Sequence, residues 1–374
     1  VSLPPVLAAR MAEYARLDRF RALAPRAGLD FCSNDYLGFA DDPELIARVR
    51  QRISASAVTL GSTGSRLVRG NAEELIRLEA RLAELSGRAA ALYFPSGYQA
   101  NVGLLSAILG PRDVVFTDAA NHASLIDGIR LSRCGRAIYS HLDLAALEKL
   151  LAETPSPSGL RVIITESIFS MDGDRTPLGD LARLARAYDA HLIVDEAHAT
   201  GLHGERGGGL VQELGLRADV LATVHTAGKA LGSAGAWIAC EPELRSYLVN
   251  ACRAFIYSTA PSPLAALALD EAVAHWRSVG PERVRLLRQN CARLGARLDL
   301  PHSGPIFPVV YGSNERALHA AESLRAAGFD VRAIRPPTVP DGTARLRITL
   351  RSSTDADAID RLGDAVRATR EARL

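Results

Sequence analysis

The chain has 374 residues, 48% of them apolar and 23% charged, which is enough to bury a large core and long enough for two domains. Its 44 basic and 42 acidic residues are interspersed, and the net charge of +2 comes without the basic tract that would neutralise a phosphate backbone, so nucleic acid is not expected as a partner. Five cysteines with neither C-x-x-C nor zinc-ligand spacing argue against a disulfide framework or a metal site, and no run approaches the ~18 apolar residues of a membrane span, so a soluble cytoplasmic protein is expected.

In chain order, a first helix is expected from about Leu7 to Arg21. Residues 71–87 predict another, with Asn71 as its cap, acids in its first turn, Leu75, Leu78, Leu82 and Leu85 in one stripe, and Gly87 as its stop. Short apolar runs then recur at 91–94, 114–116, 162–165, 192–195, 220–224 and 236–239. Lys149 falls in an amphipathic helix at 143–151 as a solvated charge, and a further helix opens with Thr176 as cap and Pro177 at its first position, carrying Leu181, Leu184 and Tyr188 inward. Runs without polar alternation are strands buried on both faces, and their alternation with helices predicts a mostly parallel sheet in an α/β domain. The glycines from Gly204 to Gly209 have the wrong spacing for a dinucleotide fingerprint and read as a flexible loop.

After about Pro263 a long helical stretch is followed by a strand at 305–310, a helix at 315–327 and strands near Val331 and at 345–350, the pattern of a smaller α+β domain. The expected division is 1–34 as an N-terminal segment packing with the small domain, 35–262 as the large α/β domain and 263–374 as the small one.

Only two of the 44 cations are lysines, Lys149 and Lys229, and Lys229 sits in a Gly/Ala-rich loop with little other charge. A guanidinium cannot form an imine, whereas a desolvated lysine amine can lose its proton and attack a carbonyl. Asp195 ends an apolar run, and ligands in open α/β sheets gather outside the carboxyl ends of strands. Ser96-Gly-Tyr-Gln99 follows a strand and opens a helix, which puts free backbone N–H groups where a phosphate would bind. An amine, a strand-end acid and a phosphate cup together meet the needs of pyridoxal 5′-phosphate.

Several segments carry a family likeness: Ser33-Asn-Asp-Tyr-Leu-Gly38, Gly61-Ser-Thr-Gly-Ser-Arg-Leu-Val-Arg-Gly-Asn71, Asn121-His-Ala-Ser124, Glu166-Ser-Ile-Phe-Ser-Met-Asp-Gly-Asp174, Asp195-Glu-Ala-His198, Thr226-Ala-Gly-Lys229 and Tyr257-Ser-Thr259. In order and spacing, from about residue 20 onward, the chain resembles the α-oxoamine synthases. These are fold-type I, pyridoxal-phosphate-dependent homodimers that condense an amino acid with an acyl thioester and release carbon dioxide. Within that family, the segment from Ala333 to Leu350 is similar to the biotin-pathway member that takes L-alanine and a pimeloyl thioester of coenzyme A or of a carrier protein.

The resemblance implies that Lys229 carries the cofactor and acts as base, Asp195 faces the pyridinium nitrogen, His198 reaches the phenolic oxygen and His122 stacks on the ring. Ser96, Gly97, Tyr98, Ser170 and Thr226 would hold the phosphate or border the ring, and Thr259 would reach in from the other subunit of the dimer. Glu166 matches a motif position near the cofactor. Arg347 would bind the amino-acid carboxylate, with Asn34, Arg21, Arg335 and Thr338 as further substrate contacts; no metal is implied. A glycine-using member with an acetyl thioester is the alternative within the family, and a non-catalytic dimeric binding protein the alternative outside it. Asp195-Glu-Ala-His198 also spells a helicase box, but the required upstream G-x-x-x-x-G-K-[ST] loop is missing.

Overall fold

A computed structural model describes residues 3–155, 158–301 and 304–371. The chain divides into two compact units, a larger one of residues 37–170 and 174–284 and a smaller one of residues 1–36, 171–173 and 285–374. The boundary expected at 263 marks instead the start of one uninterrupted helix, Pro263–Leu298, and the units part inside it between Val284 and Arg285. The helix runs on without a break there even though Gly280-Pro281 lies a few residues before the boundary.

The first strand of the chain, β1 (Leu29–Asp30), belongs to the smaller unit. The larger unit is built on seven strands: β2 (Ala90–Phe94), β3 (Val114–Asp118), β4 (Gly135–Tyr139), β5 (Arg161–Glu166), β6 (His191–Asp195), β7 (Val220–Thr226) and β8 (Ala236–Cys240). They lie in the order β2-β8-β7-β6-β5-β3-β4, and all neighbours are parallel except β8, which runs antiparallel to both β2 and β7. The mostly parallel α/β sheet is therefore present. Side chains alternate across it with period two: Ile164, Ile193, Val224 and Ile238 face one apolar cluster with Leu104 and Leu125, while Phe116, Ile163, Leu192 and Val194 face another with Leu147 and Leu181. Each fully buried aliphatic or aromatic side chain contributes about 1.5–3 kcal/mol relative to exposure, so both faces hold the sheet rigid beneath its carboxyl edge.

Local details depart from expectation where distant partners compete. The helix Glu73–Leu85 buries Leu75, Leu78, Leu82 and Leu85 and stops before Gly87 at φ +66°, but its cap residue is Ala72. Asn71 is diverted, its side-chain oxygen accepting from Arg66 Nε at 2.9 Å. Thr176 likewise caps nothing: its hydroxyl donates to the Glu166 carbonyl at 2.6 Å, and Pro177 is the cap of Leu178–Ala187. The glycine cluster is packed and not a flexible loop. A Cβ at Gly207 would meet the Trp276 ring at 2.7 Å, one at Gly208 the Leu85 carbonyl at 2.4 Å and one at Gly209 the Glu196 carboxyl at 2.6 Å.

In the smaller unit β1 pairs in parallel with β10 (Phe329–Asp330), and β9 (Ile306–Gly312), β11 (Arg332–Ile334) and β12 (Ala344–Thr349) form an antiparallel sheet in the order β11-β12-β9. The helices Asn314–Ala326 and Ala356–Glu371 complete it. The first helix, Pro5–Arg16, ends short of Arg21 because Asp18 turns to φ +51°, a left-handed conformation that no helix continues. Among the described residues no helix is long and apolar enough to cross a membrane, and the cysteines Cys32, Cys134, Cys240, Cys252 and Cys291 are free thiols.

Candidate active site

The expected site residues gather at the carboxyl ends of β5, β6 and β7. Asp195 is the last residue of β6 and is 5% exposed. Its carboxylate accepts from Asn101 Nδ2 at 2.7 Å and from the Ala197 N–H at 2.9 Å. The same Asn101 amide donates to Ser124 Oγ at 3.0 Å, and Ser124 meets His122 Nδ1 through its hydroxyl at 2.8 Å and its backbone N–H at 3.2 Å. A buried polar line thus runs from the acid to the imidazole that caps Ala123–Ser132. Burial lowers the His122 pKa, Asp195 opposing and Lys229 reinforcing the shift, so the ring is held neutral at physiological pH.

Lys229 follows β7 in a tight loop closed by Ala227 N–H to Gly235 O at 2.9 Å and Gly232 N–H to Lys229 O at 2.9 Å. The loop needs its glycines: Gly232 has φ +56° and Gly235 φ +94°, and a Cβ at Gly235 would overlap the Tyr93 hydroxyl at 2.2 Å. Lys229 is half-buried, and its charge is felt at both His122 and Glu166. Amine, imidazole and carboxylates therefore converge on one place.

Beside them the helix Gly97–Ile108 begins. Ser96 caps it, accepting from the Gln99 N–H at 3.3 Å, which leaves the first-turn N–H groups of Gly97 and Tyr98 for an anion. Thr226 closes over this turn: a Cβ on Gly97 would lie 2.6 Å from Thr226 Cγ2, so only glycine allows the approach. The Tyr98 hydroxyl is held by Asp127. His198 is buried, Ser170 is half-buried and Thr259 is exposed. Glu196 accepts from the Leu210 and Val211 N–H groups at 3.1 and 2.7 Å, capping Leu210–Glu213, and this structural use removes the helicase reading of Asp195-Glu-Ala-His198.

The smaller unit gathers the expected substrate contacts into two groups. Arg347, buried on β12, donates to Asn34 Oδ1 at 2.9 Å, and Tyr36 donates to the same oxygen at 3.1 Å. Arg21 donates to Thr338 Oγ1 at 3.2 Å, and Arg335 donates to the backbone oxygens of Asp18 and, at 3.1 Å, Phe20. Burial and the neighbouring Arg21 lower the Arg335 pKa.

Sequence reasoning missed Asn101 and the orienting role of Ser124. The available signal was an asparagine within the otherwise apolar run Ala100-Asn-Val-Gly-Leu-Leu105, where a buried amide must have partners. The Asn101 Oδ1 atom remains buried without a partner among the described residues. Among the described residues no group of three or more His, Cys, Asp or Glu could hold a metal. The amine, the doubly anchored acid, the neutral imidazole and the glycine-lined helix start are a set that can hold pyridoxal phosphate.

Comparison with known proteins agrees with this set. Residues 26–366 match the model of the aminotransferase class I and II family, and the chain belongs to that family. More particularly, it is 46% identical over 342 residues to the 8-amino-7-oxononanoate synthase of Alkalilimnicola ehrlichii, covering 89% of this chain and 85% of that one. Among solved structures it resembles the 8-amino-7-oxononanoate synthase of Francisella tularensis at 27% identity and a TM-score of 0.75, covering 92% of this chain and 97% of that one. Serine palmitoyltransferase of S. paucimobilis, solved with a bound pyridoxal-phosphate adduct, shares the fold at a TM-score of 0.88 with 23% identity, covering 98% of this chain and 96% of that one.

Proposed function

We propose that this chain is a pyridoxal-phosphate-dependent acyltransferase that joins L-alanine to a pimeloyl thioester, of coenzyme A or of a carrier protein, giving 8-amino-7-oxononanoate for biotin synthesis. The observation that carries it is Lys229 set among His122, Asp195 and the Gly97 helix start, in a chain whose relatives bear that enzyme's name. When bound, the cofactor supplies an aldehyde for amines and a protonated ring that accepts the electron pair left at Cα.

The protein's own groups do the rest. Lys229 holds the cofactor, and once alanine takes its place the freed amine removes the Cα proton. Asp195, whose carboxylate accepts from Asn101 and the Ala197 N–H, would face the ring nitrogen. With the cofactor bound, His122 would lie against the ring as a neutral imidazole and His198 would serve its phenolic oxygen. The Gly97 and Tyr98 N–H groups, with Ser96 and Thr226, hold the phosphate, and Ser170 borders it. Arg347, aligned by Asn34, receives the alanine carboxylate, and Arg335 and Arg21 with Thr338 offer cations for the far carboxylate of the acyl chain. In balance, a C–C bond forms between Cα and the thioester carbonyl, the C–S bond breaks, the alanine carboxylate leaves as carbon dioxide, and a proton returns to Cα.

A homodimer fits the same reading. Leu60 is 81%, Val68 85% and Tyr257 72% exposed, apolar side chains that a second subunit would cover. The two segments that bear them are tied together by Ala260 N–H to Gly64 O at 2.9 Å and Ser62 Oγ to Pro261 O at 2.5 Å, next to exposed Thr259. The free thiols suit a cytoplasmic location.

Two measurements test the proposal. Borohydride reduction of cofactor-saturated protein followed by peptide mapping should place a pyridoxyl group on Lys229; a clean peptide would leave only a binding protein. Thiol release with alanine, glycine and serine against acetyl, pimeloyl and palmitoyl thioesters should favour alanine with pimeloyl, and a preference for glycine with acetyl would overturn the substrate assignment.

A further inference from the structure

Glu166 ends β5 and stands in register with Asp195 at the end of the neighbouring parallel strand β6. Two carboxyl groups therefore sit side by side at the floor of the site, and both are buried, at 3% and 5% exposure. Their surroundings are unequal. Asp195 has donors on both oxygens, from Asn101 and Ala197. The His122 backbone N–H faces Glu166, and the Glu166 Oε1 atom is enclosed without a hydrogen-bond partner among the described residues. A buried ionised oxygen without a donor is costly, whereas the protonated form carries no charge to desolvate.

We propose that Glu166 is the proton-holding half of a carboxyl pair with Asp195, kept neutral so that the pair carries one charge and carries it on Asp195. Glu166 acts through Asp195 and through the His122 backbone, so it is a positioning residue and not a catalytic one. This deepens the reading of Asp195 as partner of a protonated ring nitrogen, and rests on that reading for its purpose. The groups facing Glu166 are Asp195 from β6, Lys229 from the loop after β7, His122 from the start of its helix and Asp118 from the end of β3. Burial first, then the Asp195 charge, pushes the Glu166 carboxyl up to about 8, with Lys229 and the His122 N–H opposing. When two carboxyl groups interact this closely, their donors decide which one keeps the proton.

The test is a carbon-13 carboxyl NMR titration of the cofactor-free protein labelled at Asp and Glu side chains, from pH 5 to 9, with Glu166→Gln and Asp195→Asn variants. Two glutamate signals should titrate above the ordinary carboxylate range, Glu196 near 7 and Glu166 near 8. The one near 8 should vanish in Glu166→Gln and move down by about one pH unit or more in Asp195→Asn, because the neighbouring charge is gone. The proposal falls if no glutamate titrates near 8, if the signal near 8 persists in Glu166→Gln, or if the signal that stays protonated is an aspartate lost in Asp195→Asn. Because no cofactor or substrate is present, these outcomes are independent of the borohydride and thiol-release results that decide the enzymatic reading.

Discussion

The close approach of Thr226 to the start of the Gly97–Ile108 helix predicts a non-additive pair of substitutions. In Gly97→Ala the new Cβ would lie 2.6 Å from Thr226 Cγ2, with Thr226 Cβ next at 4.0 Å and nothing else within range. Carbon atoms rest at about 3.5–4.0 Å, so roughly 1 Å must be recovered by moving the helix start or the end of β7. Such overpacking costs about 1–3 kcal/mol, and because it displaces the N–H groups assigned to the phosphate, it should weaken cofactor binding by about 5- to 150-fold. Thr226→Ser removes only the offending methyl and retains the hydroxyl that reaches the Ala197 carbonyl at 3.4 Å. Alone it should weaken binding by no more than about 1 kcal/mol. Combined, the two changes should recover most of the loss, a coupling of about 1–3 kcal/mol. Equilibrium dialysis of pyridoxal phosphate against the four proteins measures this cycle. Additivity within about 0.5 kcal/mol would mean that the Gly97–Thr226 contact does not shape the phosphate cup.

Two buried or half-buried histidines should give stability slopes of opposite sign in one pH series of urea unfolding. His225 is fully enclosed between Thr200 and Thr223 hydroxyls at 2.9 and 2.7 Å and stacks on Trp237; burial lowers its pKa to about 3. The unfolded chain therefore binds the extra proton between about 6.5 and 3, stability is lost as the pH falls through that window, and His225→Gln should flatten the acid slope. His141 bridges Asp118 at 2.9 Å and Asp174 at 2.7 Å, and its hydrogen bonds to them raise it to about 10. Its contribution is fully present below about 6.5 and lost as the pH rises through 10, so His141→Asn should flatten the alkaline slope and leave the acid one. Phe116→Ala, which empties a fully buried site and removes the ring beneath the Arg161 guanidinium at 5.3 Å, should cost about 3–5 kcal/mol in the same assay; under 1 kcal/mol would mean the cluster closes over the cavity.

How far the sequence discloses this molecule depends on where each residue's partners lie. The β5, β6, β7 and β8 runs are legible because strands buried on both faces are mostly apolar, although β7 also buries Thr223 and His225. Strand β4 escapes, since Gly135, Arg136 and Ile138 are exposed at the sheet edge and the run loses its apolar signature. The caps at Asn71 and Thr176 were misread because local rules assume a side chain is free to serve its own helix, whereas Arg66 and the Glu166 carbonyl claim these two first. The pairing of β1 with β10 joins segments from opposite ends of the chain and has no local trace.

The same holds for the site. Lys229 and Asp195 are legible from the chemistry their residue types alone can perform. The Asn101–Ser124 line that orients the acid and the imidazole exists only once the helices Gly97–Ile108 and Ala123–Ser132 are brought together.

The scarcity of lysine also makes the molecule unusually discriminating toward amine-directed reagents. Of its two side-chain amines, Lys149 lies open on its helix with 72% of its side chain exposed, near Glu153 at 3.9 Å, while Lys229 is sheltered among small residues at the sheet's edge. An acylating label used at limiting dose should find the first and spare the second, leaving an enzyme that can be tethered to a surface or a dye at one defined point without its reacting centre being touched.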